Sequence, residues 1–413
     1  MDNQIQFLHL GLGAFHRAHQ AVFIRSNIAS VSMRKPDVAD AMNQAGNSYE
    51  VIARDGESEL STQVTSIKES LFYPRDLTRI IEIARSPELR AITLTVTEKA
   101  YKDDGPNSVP QRLAVLLRAR FEAKVPGIAI ISCDNVSSNS QFLMGLVLEV
   151  IAASGESELL EWVKANIRSP NSMIDRIVPA SSSLTITTEP FNQWVIEEDP
   201  IAELLAASGV EFVLKIKPYE LAKIRLFNGV HSTLAYIGEV SGIDFVADAI
   251  VKPEIAEFIS AMQTQEMAKS IVDNGEIDLI SYASTIRKRI SNPTLRHRAH
   301  QIAMDGSQKM QQRLFDPMNE LAKLGLSAPF MCAAVAIWIH FLATNSQIDD
   351  PLAYKLTPLA QNSDPAAAVS LTLGLPDFAQ QLDASFFGTI AKDLAEIRSS
   401  SVLQLISNRI GGL

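Results

Sequence analysis

A short apolar run, "IQFLHLG", leads straight into Gly11-x-Gly13 and then into "AFHRAHQ". A strand, a glycine turn and a helix start in that order restrict the chain to a parallel α/β arrangement. In such a turn the first glycine permits the tight bend, and the second lets a pyrophosphate approach the backbone at a helix N-terminus. Where the dinucleotide fingerprint places its third glycine, His16 stands, followed by Arg17 and His19. The glycines alone therefore leave three readings: a nucleotide site, a metal site on His16 and His19, or two histidines hydrogen-bonded in a packed helix start. With Cys133 and Cys332 as the only cysteines and no H-E-x-x-H pattern, the chain offers no zinc ligand set, and the expectation is no metal.

Further apolar, β-branched runs continue the pattern. "IASVSM" (28–33) reads as a second strand, and "AITLTVTE" (91–98) and "GIAIISCDN" (127–135) as strands buried on both faces. Ligands in open α/β sheets sit beyond the carboxyl ends of the strands. Thr97 and Glu98, like Asp134 and Asn135, are placed to face that crevice, unless they are ordinary strand ends closed by turn-formers. From about Pro218 the pattern becomes helical, as in "PYELAKIRLFNGVHSTLAYIGEV" and "PFMCAAVAIWIHFLA". A chain of 413 residues exceeds one ordinary core. The expected architecture is α/β: a Rossmann-like dinucleotide-binding domain over 1–215, then a mostly α-helical domain over 216–413. A formal net charge of −10 without a basic run argues against nucleic acid and anionic membranes. No apolar run is long enough to span a bilayer and no secretory signal is legible, so a cytoplasmic protein is expected.

The helical half carries its own chemical signal in "KIRLFNGVH". At 100° per residue Asn228 lies about 140°, and His231 about 80°, around a helix from Lys223, so the three share one arc. Burial destabilises a charged lysine and makes it a usable proton carrier near neutrality. Asn228 can donate to a developing alkoxide, and His231 can orient substrate or lysine. A solvated helix face with a capping asparagine remains the alternative. Arg225 adds a cation able to bind a carboxylate, or to turn away into a salt bridge.

"GLGAFHRAHQ" resembles the N-terminal signature of the polyol-specific long-chain dehydrogenases, the mannitol dehydrogenase family. "LTVTEKAY", "SCDN", "DRIVP", "KIRLFNGVHS" and "IAMDGSQK" extend the likeness along nearly the whole chain. The resemblance implies a metal-independent secondary-alcohol dehydrogenase using NAD(H). Gly11, Gly13, Ala14, Phe15, Thr97, Glu98 and Asn135 would then meet the cofactor. It also implies Lys223 as general acid/base, Asn228 and Asn135 as the oxyanion site, and His231 beside them. Asp175 and Lys309 match substrate contacts. After the second strand, Arg34 and Lys35 precede Asp37. The acid favours NAD(H), and the cations leave NADP(H) open.

"RHRAHQIAMDGSQK", with Gln301 where mannitol-type enzymes tend to carry arginine, is similar to the fructuronate reductase branch. That likeness implies interconversion of a keto-uronate and its aldonate, of the fructuronate/D-mannonate type, with a mannitol- or arabinitol-type 2-dehydrogenase as the alternative. The expected partner is a small sugar acid or polyol, bound by a monomer or small homo-oligomer. A nucleotide-sensing protein descended from a dehydrogenase would not need the Lys223–Asn228–His231 set, which is present.

Overall fold

Strands apolar on both sides need cover on both faces, and the first half of the chain supplies it. The computed structural model describes residues 4–412 except 97, 98, 103, 104, 106, 180, 182, 274, 276, 379 and 380. With strands numbered along the chain, β1 (Phe7–Leu10), β2 (Ile28–Ser32), β5 (Ile67–Phe72), β6 (Ala91–Leu94) and β7 (Ala129–Ser132) form one sheet. They pair in parallel in the order β5-β2-β1-β6-β7. The order reverses between β1 and β6, which is where open α/β sheets bind ligands. Alternate residues feed two cores: Leu8, Leu10, Ile92, Leu94 and Ile130 on one face, Phe7, Ile28, Ala91 and Ile131 on the other.

Two small sheets join this unit without a clear sequence signal. β3 (Tyr49–Arg54) pairs antiparallel with β4 (Glu59–Val64) and parallel with β9 (Ile186–Thr188). β8 (Ser172–Asp175) pairs antiparallel with β10 (Gln193–Glu197), which pairs parallel with β11 (Glu211–Val213). All of β4 except Val64 faces solvent, and β9 and β11 are three residues each, so apolar periodicity had little to report.

The chain divides into two compact units, Met1–Lys217 and Pro218–Leu413. Among the described residues the second unit contains no β-strand. Its helices include one over Lys217–Ala222 that passes into a π-helical segment, Lys223–Gly229, and then into an α-helix over Val230–Ser241. Two further π segments cover Met262–Met267 and Gln311–Phe315, the latter directly after the short helix Gly306–Met310. The helix Pro329–Thr344 is apolar around its whole circumference and buried along most of its length, which makes it the centre of this unit. Glu266 accepts hydrogen bonds from the Phe330 and Met331 N–H groups, each at 2.7 Å, and so satisfies first-turn donors of that helix. No helix among the described residues is long and apolar enough to cross a membrane.

At the head of the parallel sheet Gly11 has φ +119°, and a Cβ there would lie 2.0 Å from the Thr95 carbonyl oxygen. A side chain is excluded both by the backbone conformation and by this contact. Gly11→Ala should therefore lower stability by at least about 2–3 kcal/mol, read as a lower urea midpoint at unchanged slope. A midpoint equal to that of the parent would show that the two strand ends can separate at little cost.

Candidate active site

The glycine turn is built from its neighbours. Thr95 Oγ1 donates to the Gly11 carbonyl at 3.0 Å, and His9 bonds Thr93 and Thr95 through its two ring nitrogens at 2.7 and 2.8 Å. Because Thr95 Oγ1 is the donor to Gly11, it accepts from His9 Nε2–H, which leaves His9 Nδ1 to accept from Thr93. His16 stacks flat on His9, with centroids 3.4 Å apart and planes 9° from parallel, and its Nε2 meets Ser30 Oγ at 2.9 Å. Burial pushes the His9 imidazole down to about 3 and holds His16 well below the usual range, so the stacked pair is neutral. A flat ring pair thus fills the space that a third glycine closes in the usual fingerprint.

His19 turns elsewhere: its Nε2 meets the Gln193 carbonyl at 2.9 Å and its ring lies against Phe15, Phe23 and Trp194. His16 and His19 therefore serve separate partners. Arg17 donates to the Ser183 and Leu184 carbonyls, and the Tyr49 hydroxyl donates to the Arg17 carbonyl. The helix start Ala14–Ala18 breaks at His19 (φ −122°, ψ −87°) before a second short helix, Gln20–Phe23, so the first crossover is two clipped turns. Gly13 heads the first of these in extended backbone without a side-chain cap, and a Cβ there would meet only the Gly11 carbonyl, at 3.9 Å. Gly13 is exposed, with Ala14 and Phe15 half-buried behind it, and these residues fit a dinucleotide pyrophosphate. After β2, Arg34, Lys35 and Asp37 are exposed.

The ends of β6 and β7 are tied by Asp134, whose carboxylate accepts from the Val96 N–H at 2.8 Å and from the Tyr101 hydroxyl. Asp134 is thus a brace rather than a ligand-facing end. Asn135, next in the chain, is exposed beyond β7. Asp175 closes β8 and is buried. Thr97 and Glu98, expected at the cofactor, lie outside the described residues.

In the helical unit Lys223 opens the first π segment and Asn228 stands five residues on. The α-helical spacing that separates them by about 140° does not apply here. A π turn pairs i with i+5 and brings Asn228 back over Lys223 on one face. His231 follows one α-turn later, half-buried, with its ring stacked on Phe227 at 5.3 Å and 5.6 Å from the His297 ring. The Arg289 guanidinium covers the Phe227 ring at 4.8 Å. Burial, then the charges of His297, Arg313, Arg289 and Lys309, hold the His231 imidazole well below its usual range.

Lys309 is half-buried, and its ammonium donates to the Met304 carbonyl and, at 3.4 Å, to the Ile302 carbonyl. Burial and the neighbouring Arg313 lower its pKa. Among the described residues these two carbonyls take two of its three donors. Arg225 does not join this group. It is buried, and its Nη1 donates to Ser270 O and Oγ at 2.6 and 2.9 Å. Sequence reasoning missed Arg289, His297 and Arg313. The dense cations of "RHRAHQ" and the arginine four residues after Lys309 were the available signal, but no local periodicity ties them to Lys223.

The His231 surroundings generate a direct test. Its imidazole should be neutral at neutral pH and titrate well below a free imidazole, read from ¹⁵N ring shifts by NMR. A midpoint between pH 6 and 7 would show that neither burial nor the neighbouring cations act on it.

Comparison with known proteins places this arrangement. Residues 5–207 match the mannitol dehydrogenase Rossmann domain, and residues 215–398 the mannitol dehydrogenase C-terminal domain. D-mannonate oxidoreductase of Escherichia coli is 31% identical, covering 93% of this chain and 91% of its own. D-arabinitol 4-dehydrogenase of Klebsiella pneumoniae is 28% identical, over 83% of this chain and 85% of its own. A solved structure of Pseudomonas fluorescens mannitol 2-dehydrogenase, a ternary complex with NAD and D-mannitol, superposes with a TM-score of 0.79 at 24% identity, covering 98% of this chain and 94% of that one. Two domain matches in chain order, with a relative similar along nearly its full length, show that the chain is an oxidoreductase belonging to the mannitol dehydrogenase family.

Proposed function

We propose that the protein is an NAD(H)-dependent dehydrogenase that interconverts a keto-uronate and its aldonate, with Lys223 as the general acid/base. The observation that carries this reading is the π turn that sets Asn228 over Lys223 beside His231, among Arg289, Lys309 and Arg313. When bound at the glycine turn, the nicotinamide dinucleotide supplies or accepts the hydride. Lys223 Nζ takes the hydroxyl proton during oxidation and returns it during reduction. Asn228 donates to the substrate oxygen as negative charge develops there. Asn135 serves as a second donor to that oxygen and Asp175 as a substrate contact, in keeping with the family resemblance.

His231 is a poor candidate for the proton carrier, because an imidazole held well below its usual range is neither an acid nor an effective base at neutral pH. It orients its neighbours instead. The buried free thiols Cys133 and Cys332 suit a reducing cytoplasm.

The substrate class follows from charge. The chain carries a formal net charge of −10, yet the charges acting on His231 come from three cationic side chains and a second imidazole. A sugar carboxylate suits such a place better than a neutral polyol does. We assign the carboxylate to Lys309, a half-buried cation beside Arg313, and give Arg225 a packing role through Ser270. The likeness to D-arabinitol 4-dehydrogenase favours a neutral polyol as the second reading.

Lys223→Ala should lower kcat by about 10²–10⁴-fold or more while leaving NADH affinity intact. Near-parent turnover in that variant would remove the lysine from the mechanism.

An NADH-oxidation screen across keto-uronates and ketohexoses tests the substrate class. Fructuronate or a close keto-uronate should exceed fructose by at least about tenfold in kcat/KM, the worth of one charge-assisted hydrogen bond. Lys309→Ala should shrink that ratio more than it lowers turnover of fructose. A preference for fructose would transfer the assignment to the neutral-polyol reading and leave the lysine mechanism standing.

A further inference from the structure

Three π segments meet at one point of the helical unit, and we propose that Gln263 and Arg313, which bridge them, are positioning residues for the Lys223–Asn228 pair. This rests on the reading of Lys223 as the acid/base. Gly229 ends the first segment, and a Cβ there would lie 2.9 Å from the Arg313 carbonyl in the third and 3.0 Å from Met267 Cε in the second. Only a glycine permits that approach.

The bridges act on the backbone itself. A helix that changes from i→i+4 to i→i+5 pairing leaves carbonyls that need donors from outside it. Gln263 Nε2 donates to the Leu226 carbonyl at 2.8 Å, and Arg313 Nη1 donates to the Asn228 carbonyl at 3.4 Å and to Ser232 Oγ at 2.6 Å. Gln263 is fully buried, and its Oε1 accepts from Arg287 Nη1 at 2.7 Å, so both ends of its amide are held. Without these donors the first segment is free to relax toward α pairing, which swings Asn228 to about 140° from Lys223. The asparagine then leaves the substrate oxygen, while the lysine and the nucleotide-binding unit stay intact.

The test uses the full-length protein with Gln263→Leu, which keeps volume and removes the donor. The expected result is a kcat lower by about 10- to 100-fold with NADH affinity within about twofold of the parent. The acidic limb of the kcat–pH profile for alcohol oxidation, where the lysine must lose its proton to act as base, should also shift, as the lysine loses its fixed setting. A purely packing role would lower the melting temperature without moving that profile. Arg287→Met, at a half-exposed position that orients Gln263, should shift the same readouts by a smaller amount, and it decides the question if Gln263→Leu fails to fold. Parent-like kcat and profile in a folded variant would overturn the proposal while Lys223→Ala is inactive. Retained turnover in Lys223→Ala would overturn the acid/base reading and this proposal with it.

Discussion

Two backbone carbonyls of the Lys223–Gly229 π segment, at Leu226 and Asn228, accept hydrogen bonds from outside their own helix. Their donors come from side chains far along the sequence, Gln263 and Arg313. Each donor sits in a further π segment, so a local departure from α geometry is accommodated by two others. Net stabilisation from any one of these bonds is modest, about 0.5–1.5 kcal/mol, but leaving a buried carbonyl unpaired costs more. On the proposal above, these bonds hold the Lys223–Asn228 face.

The nucleotide-binding unit solves a similar problem with rings. Two neutral histidines stacked at 3.4 Å take the place of a close glycine contact between helix and sheet. One of them, His9, reaches through Thr95 to the Gly11 carbonyl, so ring packing and turn geometry are one hydrogen-bonded chain. Burial makes this workable. A protonated imidazole would bring an unpaired charge into a dry core, and both rings are instead held well below their usual range.

Charge is distributed against the average. The surface that gives the chain its net negative value is not repeated around His231, where Arg289, Arg313 and Lys309 act together. Their lowered proton affinities at Lys309 and Arg313, caused first by burial, mark cations held at a cost in solvation. An anionic ligand would relieve part of that cost, which links the electrostatics of the unit to the substrate class argued for it.

Much of this was legible in the residues alone. Short apolar, β-branched runs located β1, β2, β6 and β7, and the polar set in "KIRLFNGVH" stood out as a candidate for chemistry, because run length and side-chain type are local properties. The small sheets escaped notice because β4 exposes its side chains and β9 and β11 are too short to show a period. By itself, then, the sequence determined a parallel sheet behind a glycine turn, a helical second half, and a lysine, an asparagine and a histidine on one stretch of helix. The tertiary structure decided the rest: that this stretch winds as a π turn, that Arg225 faces Ser270, and that His297, Arg289 and Arg313 gather around His231. The side chains that reach the Leu226 and Asn228 carbonyls come from far along the sequence, and no local pattern of residues encodes that contact.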